Sequence, residues 1–213
     1  MVGVIDYDAG NVRSVMKAVN KLGAEAILTS DTAKLEECSS IILPGVGSFG
    51  KAMDNLKLRN LDSWIVKSVK EGRLLLGICL GLQMLFDKSF EEGEHEGLGL
   101  IPGDVVRFGK ENDPDWDETL KIPHMGWNEL VCNREDRIGE GISKGEYAYF
   151  VHSYYARPVD WNDVVYYADY SVRVPGVVRK NNVIGMQFHP EKSSDTGMKL
   201  LKNFLKEGEH IAG

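Results

Sequence analysis

Leu74-Leu75-Leu76-Gly77-Ile78-Cys79-Leu80-Gly81-Leu82-Gln83 decides the fold. Residues 74–78 are apolar throughout, the pattern of a strand buried on both faces. Residues 80–86 read as a helix. Between them stands Gly77-Ile78-Cys79-Leu80-Gly81, with a glycine two residues either side of the cysteine. Strand, tight turn and helix with a reactive side chain at the apex make the shape of a nucleophile elbow. There the helix start favours thiolate over thiol and offers the Leu80 N–H as an oxyanion donor. The competing reading makes Cys79 a small core hydrophobe at a strand end.

The same strand–helix alternation runs back to the N-terminus. Residues 2–5 read as a short buried strand. Val12, Val15, Met16, Val19 and Leu22 then mark one face of a helix that Gly23 stops. Residues 24–28 and 40–43 are further strands, separated by a short helix that Asp31 or Thr32 can cap. Leu61, Trp64, Ile65 and Val69 mark another helix, closed by Gly72. Apolar strands each followed by a helix predict an α/β fold with a mostly parallel, doubly wound sheet. Ligands in such sheets bind at the carboxyl ends of the strands, which puts the loops after Ile5, Leu43 and Ile78 on one functional edge.

The second half changes character. Residues 91–109 and 110–118 are rich in glycine and charge and read as surface loops. Residues 128–131, 147–151, 164–170, 176–179 and 183–188 read as strands, with Asn181-Asn182 turning the last pair, and some of them form a small antiparallel addition. Met198, Leu201 and Leu205 mark a C-terminal helix. With no repeat or linker, residues 1–213 are expected to form one domain.

Composition narrows the function. A chain of 213 residues can bury about 70% of its unfolded surface and needs no disulfide or metal staple. A net charge of −7 argues against a nucleic-acid or anionic-membrane binder. Cys38, Cys79 and Cys132 are odd in number and lack a C-x-x-C spacing, so neither a zinc ribbon nor a disulfide framework is expected. Cys38 and Cys132 are expected to be structural. No signal peptide or apolar span is apparent, and a cytoplasmic protein without metal or cofactor is expected.

A thiolate attacking a carbonyl needs a base that takes its proton and returns it to the leaving group. His189 is the candidate among five histidines: it follows the last strand and precedes Pro190-Glu191. Glu191 could hold the ring's tautomer, the orienting role in a triad. The alternative is a turn histidine beside a solvated glutamate. His95 and His210 lie in polar stretches and are expected to be solvated. Leu43-Pro44-Gly45-Val46-Gly47-Ser48-Phe49-Gly50 can bend backbone N–H groups towards one point. It lacks G-K-[ST] and G-x-G-x-x-G, so an oxyanion loop opposite the cysteine fits it better than a nucleotide cradle.

These segments together resemble the class I, triad-type glutamine amidotransferases, in order along essentially the whole chain. Finer details resemble the glutaminase subunits of imidazole glycerol phosphate synthases of histidine biosynthesis. They are Ile5-Asp6-Tyr7 with Gly10-Asn11-Val12-Arg13-Ser14, Pro123-His124-Met125-Gly126-Trp127-Asn128, Tyr149-Phe150-Val151-His152-Ser153-Tyr154 and His189-Pro190-Glu191-Lys192-Ser193. Asp8 and Ala9 depart from the turn expected in much of that family.

The resemblance implies that Cys79 attacks the side-chain amide of glutamine, with His189 as base and Glu191 as orienter. It implies that Leu80 and the Gly45-Val46-Gly47 loop stabilise the oxyanion, through Val46 or Gly47. It places Gly45, Gly47, Gln83, Ser153 and Tyr154 around the substrate. It also implies a separate (β/α)8-barrel cyclase subunit that receives the ammonia, met by Asn11, Ser14, Trp127, Tyr149 and Lys192. On residue type alone Gln83 would be a solvated helix residue, Ser153-Tyr154 an exposed strand end and Trp127 a core aromatic. The loop's glycines make a peptide flip cheap, so partner binding could favour the one loop state that aims an N–H at the oxyanion. Two other readings compete: the glutaminase of another amidotransferase, such as an anthranilate or aminodeoxychorismate synthase, and a non-catalytic scaffold in which Cys79 is a redox-sensitive thiol.

Overall fold

The structure, a computed structural model, describes residues 1–211. The first half runs β1 (Val2–Ile5), α1 (Val12–Lys21), β2 (Ala26–Thr29), α2 (Thr32–Glu36), β3 (Ser40–Leu43), α3 (Phe49–Leu58), α4 (Leu61–Lys70), β4 (Leu74–Ile78) and α5 (Leu80–Met84). The second half adds β5 (Phe86–Ser89), β6 (His95–Glu96), β7 (Ile101–Arg107), β8 (His124–Glu129), β9 (Val131–Cys132), β10 (Tyr147–His152) and β11 (Tyr154–Pro158). It ends with β12 (Val164–Tyr170), β13 (Val172–Lys180), β14 (Val183–Met186) and α6 (Ser194–Ile211).

Eight strands form the central sheet in the order β2-β1-β3-β4-β14-β13-β12-β9. The five strands from β2 to β14 are parallel, and β13, β12 and β9 continue antiparallel. The expected α/β sheet is therefore present. Side-chain alternation sorts its two faces. Val2, Val4, Ile42, Leu74, Leu76 and Ile78 pack against α1 and α6. Ile5, Ile41, Leu43 and Leu75 pack against α2, α3 and α4. A strand apolar at every position is what a sheet covered on both faces requires.

Local chemistry sets several boundaries. Asp31 caps α2, its carboxylate accepting from the Ala33 N–H at 3.0 Å. Asn181 takes φ 54° at the β13–β14 turn, and the Asn182 amide donates to the Val69 and Arg73 carbonyls at 2.8 and 2.7 Å. That turn is the one expected from Asn181-Asn182.

Two expectations fail, and one helix goes unread in the sequence. The chain from Phe49 is a helix, α3, which the glycine count of the preceding loop obscured; Phe49, Ala52, Met53 and Leu56 are buried at helical spacing. The helix after the elbow ends at Met84, and Phe86 starts a strand. The stretch read as a loop over residues 91–109 contains β6 and β7, and Val105, Val106 and Phe108 are buried. Pro102 and Gly103 interrupt the alternation there and hide the strand. β7 pairs with β5 and β11 in a second sheet, and β8 pairs with β10 in a third. Residues 110–118 are irregular, as expected, but Trp116 is buried and the Tyr155 hydroxyl donates to Asp113 at 2.7 Å, pinning the segment.

A half-buried ionic knot ties β13 to α6. Asp136 accepts from Arg134 at 2.6 Å, Arg179 at 2.9 Å and the Ile138 N–H at 3.0 Å. Arg179 also meets both oxygens of Glu207, at 2.9 and 2.7 Å. Burial raises the Asp136 pKa, but these donors outweigh it and leave the carboxyl below its ordinary value. Asp136→Ala strips Arg134 of its carboxylate, leaves Arg179 to Glu207 alone and orphans the Ile138 N–H, so it is expected to lower the unfolding free energy by about 1–3 kcal/mol at neutral pH. A depressed carboxyl contributes stability above its unfolded pKa of about 4 and loses it as pH falls through the folded value. Urea melts of both proteins should therefore converge in acid; a deficit independent of pH would contradict the assignment.

Candidate active site

Cys79 stands at the end of β4 with φ 56° and ψ −112°, a strained conformation for a residue with a side chain. Two interactions hold it there. Its N–H donates to the Met186 carbonyl at 2.7 Å. Beyond it the chain folds back so tightly that a Cβ on Gly77 would lie 2.6 Å from the Gly81 carbonyl oxygen. The elbow read from sequence is therefore present. The helix behind it spans only five residues, so few peptide dipoles stack there and the site's charge is set mainly by other groups.

Those groups arrive from the neighbouring strand. His189 follows β14 and is buried, as is the Glu191 side chain. His189 Nδ1 lies 3.0 Å from Glu191 Oε1. A carboxylate only accepts, so Nδ1 carries a proton and Nε2 is left to face Cys79. The Asn11 amide donates to the same Glu191 oxygen at 2.7 Å. Burial opposes charging the ring, but hydrogen bonding and charge from Cys79 and Glu191 outweigh it and raise the His189 pKa to about 9. Burial acts to raise Glu191, yet His189 and Asn11 hold its carboxyl below the ordinary glutamate value. The His-Pro-Glu turn is fixed from β10: the Ser193 hydroxyl donates to the His189 carbonyl at 2.8 Å and accepts from the Tyr149 N–H at 2.9 Å.

Cys79 and His189 line one cavity of about 380 Å³, with Val46, Gly47, Leu80, Gln83, Glu91, Val151, His152, Ser153, Tyr154 and Lys192. That volume suits an amino-acid-sized ligand. Sulfur, imidazole and carboxylate thus stand in series at the carboxyl edge of the sheet. A larger cavity of about 850 Å³, around Cys132, Asp136 and Tyr166, contains none of them.

Part of the Leu43–Gly50 stretch, Val46 and Gly47, lines the same cavity as the cysteine. The Tyr7 hydroxyl donates to the Pro44 carbonyl at 2.6 Å and anchors it. Val46 is partly exposed and Gly47 has φ +100°, so both border the cavity. Gly45 packs into the elbow instead, where its Cβ would lie 2.8 Å from the Gly81 nitrogen. Gln83 is buried and donates to the Tyr154 carbonyl at 2.9 Å and to Gln187 at 3.2 Å, which rules out a solvated helix residue. Ser153 and Tyr154 are half-buried cavity walls rather than a free strand end.

The residues expected at a partner face divide. Trp127 is 51% exposed and meets Tyr149 edge-on at 5.9 Å, which overturns its reading as a core aromatic. Lys192 reaches the cavity, and Asn11 and Ser14 lie beside Glu191. His95 is half-buried against Phe49, 6.5 Å between ring centroids, not solvated; the His210 side chain lies outside the described residues. Cys132 is exposed and Cys38 buried, so Cys132 has no core role. Sequence reasoning missed Glu91, which lies in the cavity wall and accepts from the Phe49 N–H at 2.6 Å. Its acidic surroundings, Glu91-Glu92-Gly93-Glu94, disguised it as a solvated run. Burial pushes its carboxyl pKa up despite that N–H bond.

A cysteine, histidine and glutamate in series on a doubly wound sheet define a cysteine-dependent amide-cleaving enzyme. The family model described as glutamine amidotransferase class-I matches residues 3–207, and the chain belongs to that family. Within it, the imidazole glycerol phosphate synthase subunit HisH of Bacillus subtilis (strain 168) is 51% identical over 206 residues, covering 97% of this chain and 96% of that one. The subunit of the same name from Aquifex aeolicus (strain VF5) is 44% identical over 209 residues, covering 98% and 97%. A crystal structure of a glutamine amidotransferase shares the fold with TM-score 0.75 at 23% identity, covering 98% of each chain. The structure of PurLQS from Thermotoga maritima does so with TM-score 0.72 at 23% identity, covering 97% of each. Among the described residues no helix is long and apolar enough to cross a membrane.

Proposed function

We propose that this chain is the glutaminase subunit of an imidazole glycerol phosphate synthase, working in the cytoplasm on the path to histidine. The observation that carries the reading is the shared cavity of Cys79 and His189, with His189 oriented by Glu191 at 3.0 Å. His189 Nε2 holds the proton that Cys79 gives up while sulfur attacks the side-chain amide carbon of glutamine. The Leu80 N–H and an N–H of the Val46-Gly47 segment stabilise the tetrahedral oxyanion. The intermediate collapses as His189 returns the proton to nitrogen, and ammonia leaves. Water, deprotonated by His189, then cleaves the glutamyl thioester to glutamate and restores the thiol.

Cavity charges give the substrate its orientation. Glu91 accepts from the α-ammonium of glutamine, with Gln83, Ser153 and Tyr154 around its backbone groups. Glu91→Gln exchanges a charge-assisted bond for a neutral one, so KM for glutamine is expected to rise about ten- to a hundredfold with kcat little changed. A fall in kcat at unchanged KM would remove Glu91 from substrate binding.

Free ammonia would protonate and disperse in water, so hydrolysis is useful only beside an acceptor. The exposed Trp127 and Met125 belong to the face that meets a (β/α)8-barrel cyclase subunit, which uses the ammonia to form imidazole glycerol phosphate. The test is glutamate release by the isolated chain, by the chain with a barrel cyclase, and by that complex with the acceptor nucleotide. The rate is expected to rise at each step; three equal rates would refute coupling, and no release in any would refute the glutaminase reading.

A further inference from the structure

His124 and His152 lie directly opposite each other in the β8–β10 ladder, both buried on its inner face. His152 Nδ1 is 2.8 Å from the Tyr154 carbonyl, and His124 Nδ1 is 3.1 Å from His152 Nε2. A carbonyl can only accept, so His152 carries its proton on Nδ1. In a neutral ring its Nε2 must then accept, and His124 must also carry its proton on Nδ1. His124 Nε2 has no partner among the described residues, so this assignment leaves a bare lone pair there rather than a bare N–H. Burial keeps both rings neutral, lowering His124 to about 4 and His152 to about 3. His124 is also sandwiched between Phe150 and Tyr170, at 4.9 and 3.9 Å between centroids, which prevents the ring from turning.

The chain of donors continues to the cavity. The Tyr154 carbonyl accepts from His152 and also from the Gln83 amide, at 2.9 Å. Gln83 spends its second N–H on Gln187, so its amide nitrogen is fully occupied and its oxygen is left for a ligand. Fixing the Tyr154 carbonyl therefore fixes which end of Gln83 faces the cavity.

Resting on the glutaminase reading above, we propose that His124 and His152 are a positioning pair for glutamine: two Nδ1-protonated rings that hold the Tyr154 carbonyl and, through it, the Gln83 amide. Neither ring exchanges a proton with substrate. Loss of the His152 donor loosens the carbonyl and lets the Gln83 amide turn, which weakens binding without touching the sulfur, the base or the oxyanion donors.

Two measurements decide it. Imidazole nitrogen NMR of the intact chain should find His124 and His152 both protonated on Nδ1; a proton on His152 Nε2 would overturn the proposal. In the complex with a barrel cyclase, His152→Phe should raise KM for glutamine about three- to tenfold, the loss of one net hydrogen bond, with kcat within about twofold. His152→Asn, whose amide nitrogen occupies the place of Nδ1, should restore KM, whereas His152→Gln should not. Unchanged KM in His152→Phe, or equal rescue by Asn and Gln, would sink it. If the unaltered complex releases no glutamate, the glutaminase reading fails while the NMR result still decides the tautomers.

Discussion

Cys79→Ala is expected to lower glutamate release by about 10⁴-fold or more, the scale seen when a covalent nucleophile is removed from a triad. The cavity's other nucleophile-type groups are the Ser153 and Tyr154 hydroxyls, which are weaker nucleophiles than a thiol at neutral pH. Cys79 is small and 8% exposed, so alanine removes one sulfur and leaves the packing of β4 intact. The loss should therefore appear in kcat, with a thermal melt that is unchanged in alkali. A second readout follows from the charge at His189. Burial disfavours its charged form, and Cys79 is the first of the groups that overcome burial and raise the ring to about 9. Without the sulfur the His189 pKa should fall, and an NMR titration of the ring measures it. The sign for stability follows. A raised histidine stabilises the fold fully below its unfolded pKa of about 6.5 and loses that contribution as pH rises through the folded value. The variant should thus give up stability at and below neutral pH and match the unaltered protein in alkali. Residual turnover within tenfold of the unaltered enzyme would remove Cys79 from the mechanism, and with it the thioester.

Much of this site is written locally in the chain. Gly77-Ile78-Cys79-Leu80-Gly81 announces the elbow because only glycines tolerate the approach of Gly77 to Gly81, and strand periodicity places Cys79 and His189 on one sheet edge. β4 and β14 are neighbours in space but more than a hundred residues apart, so their adjacency is topology, not periodicity. What stayed hidden depends on distant partners. Glu91 reads as solvated until the Phe49 N–H is found beside it. Asn11 joins the triad only because an αL turn at φ 64° aims its amide at Glu191. The β7 strand escaped because Gly103 sits where its Cβ would lie 2.3 Å from the Arg157 carbonyl oxygen, a demand set by β11 rather than by β7 itself. Trp127 failed as a core residue for a related reason: His124 takes the inner face of β8, and alternation sends Met125 and the indole out.

Gly81→Ala should be the most damaging single methyl in the molecule. Its Cβ would lie 1.9 Å from the Leu43 carbonyl oxygen and 3.4 Å from the Pro44 carbonyl carbon, both backbone atoms. A side chain could rotate away from such a contact, but here the end of β3 and the first turn of α5 would have to separate. β3 pairs with β4 at Leu43 and Gly77, so that movement pulls on the central sheet where it carries the cysteine. Overpacking of this kind costs about 1–3 kcal/mol when side chains can adjust, and more than about 4 kcal/mol when they cannot. Gly47→Ala sets the contrast. Its Cβ would meet nothing within 4 Å, and only its φ of +100° is penalised, a cost of about 1–2 kcal/mol. Urea melts should therefore rank Gly81→Ala far below Gly47→Ala. Turnover need not follow that order, because Gly47 borders the cavity and its peptide belongs to the segment proposed to stabilise the oxyanion. Gly81→Ala unfolding at the same urea concentration as the unaltered protein would mean that the elbow and the Leu43–Pro44 backbone do not touch, and the Pro44–Gly47 segment would then have no fixed position relative to the sulfur.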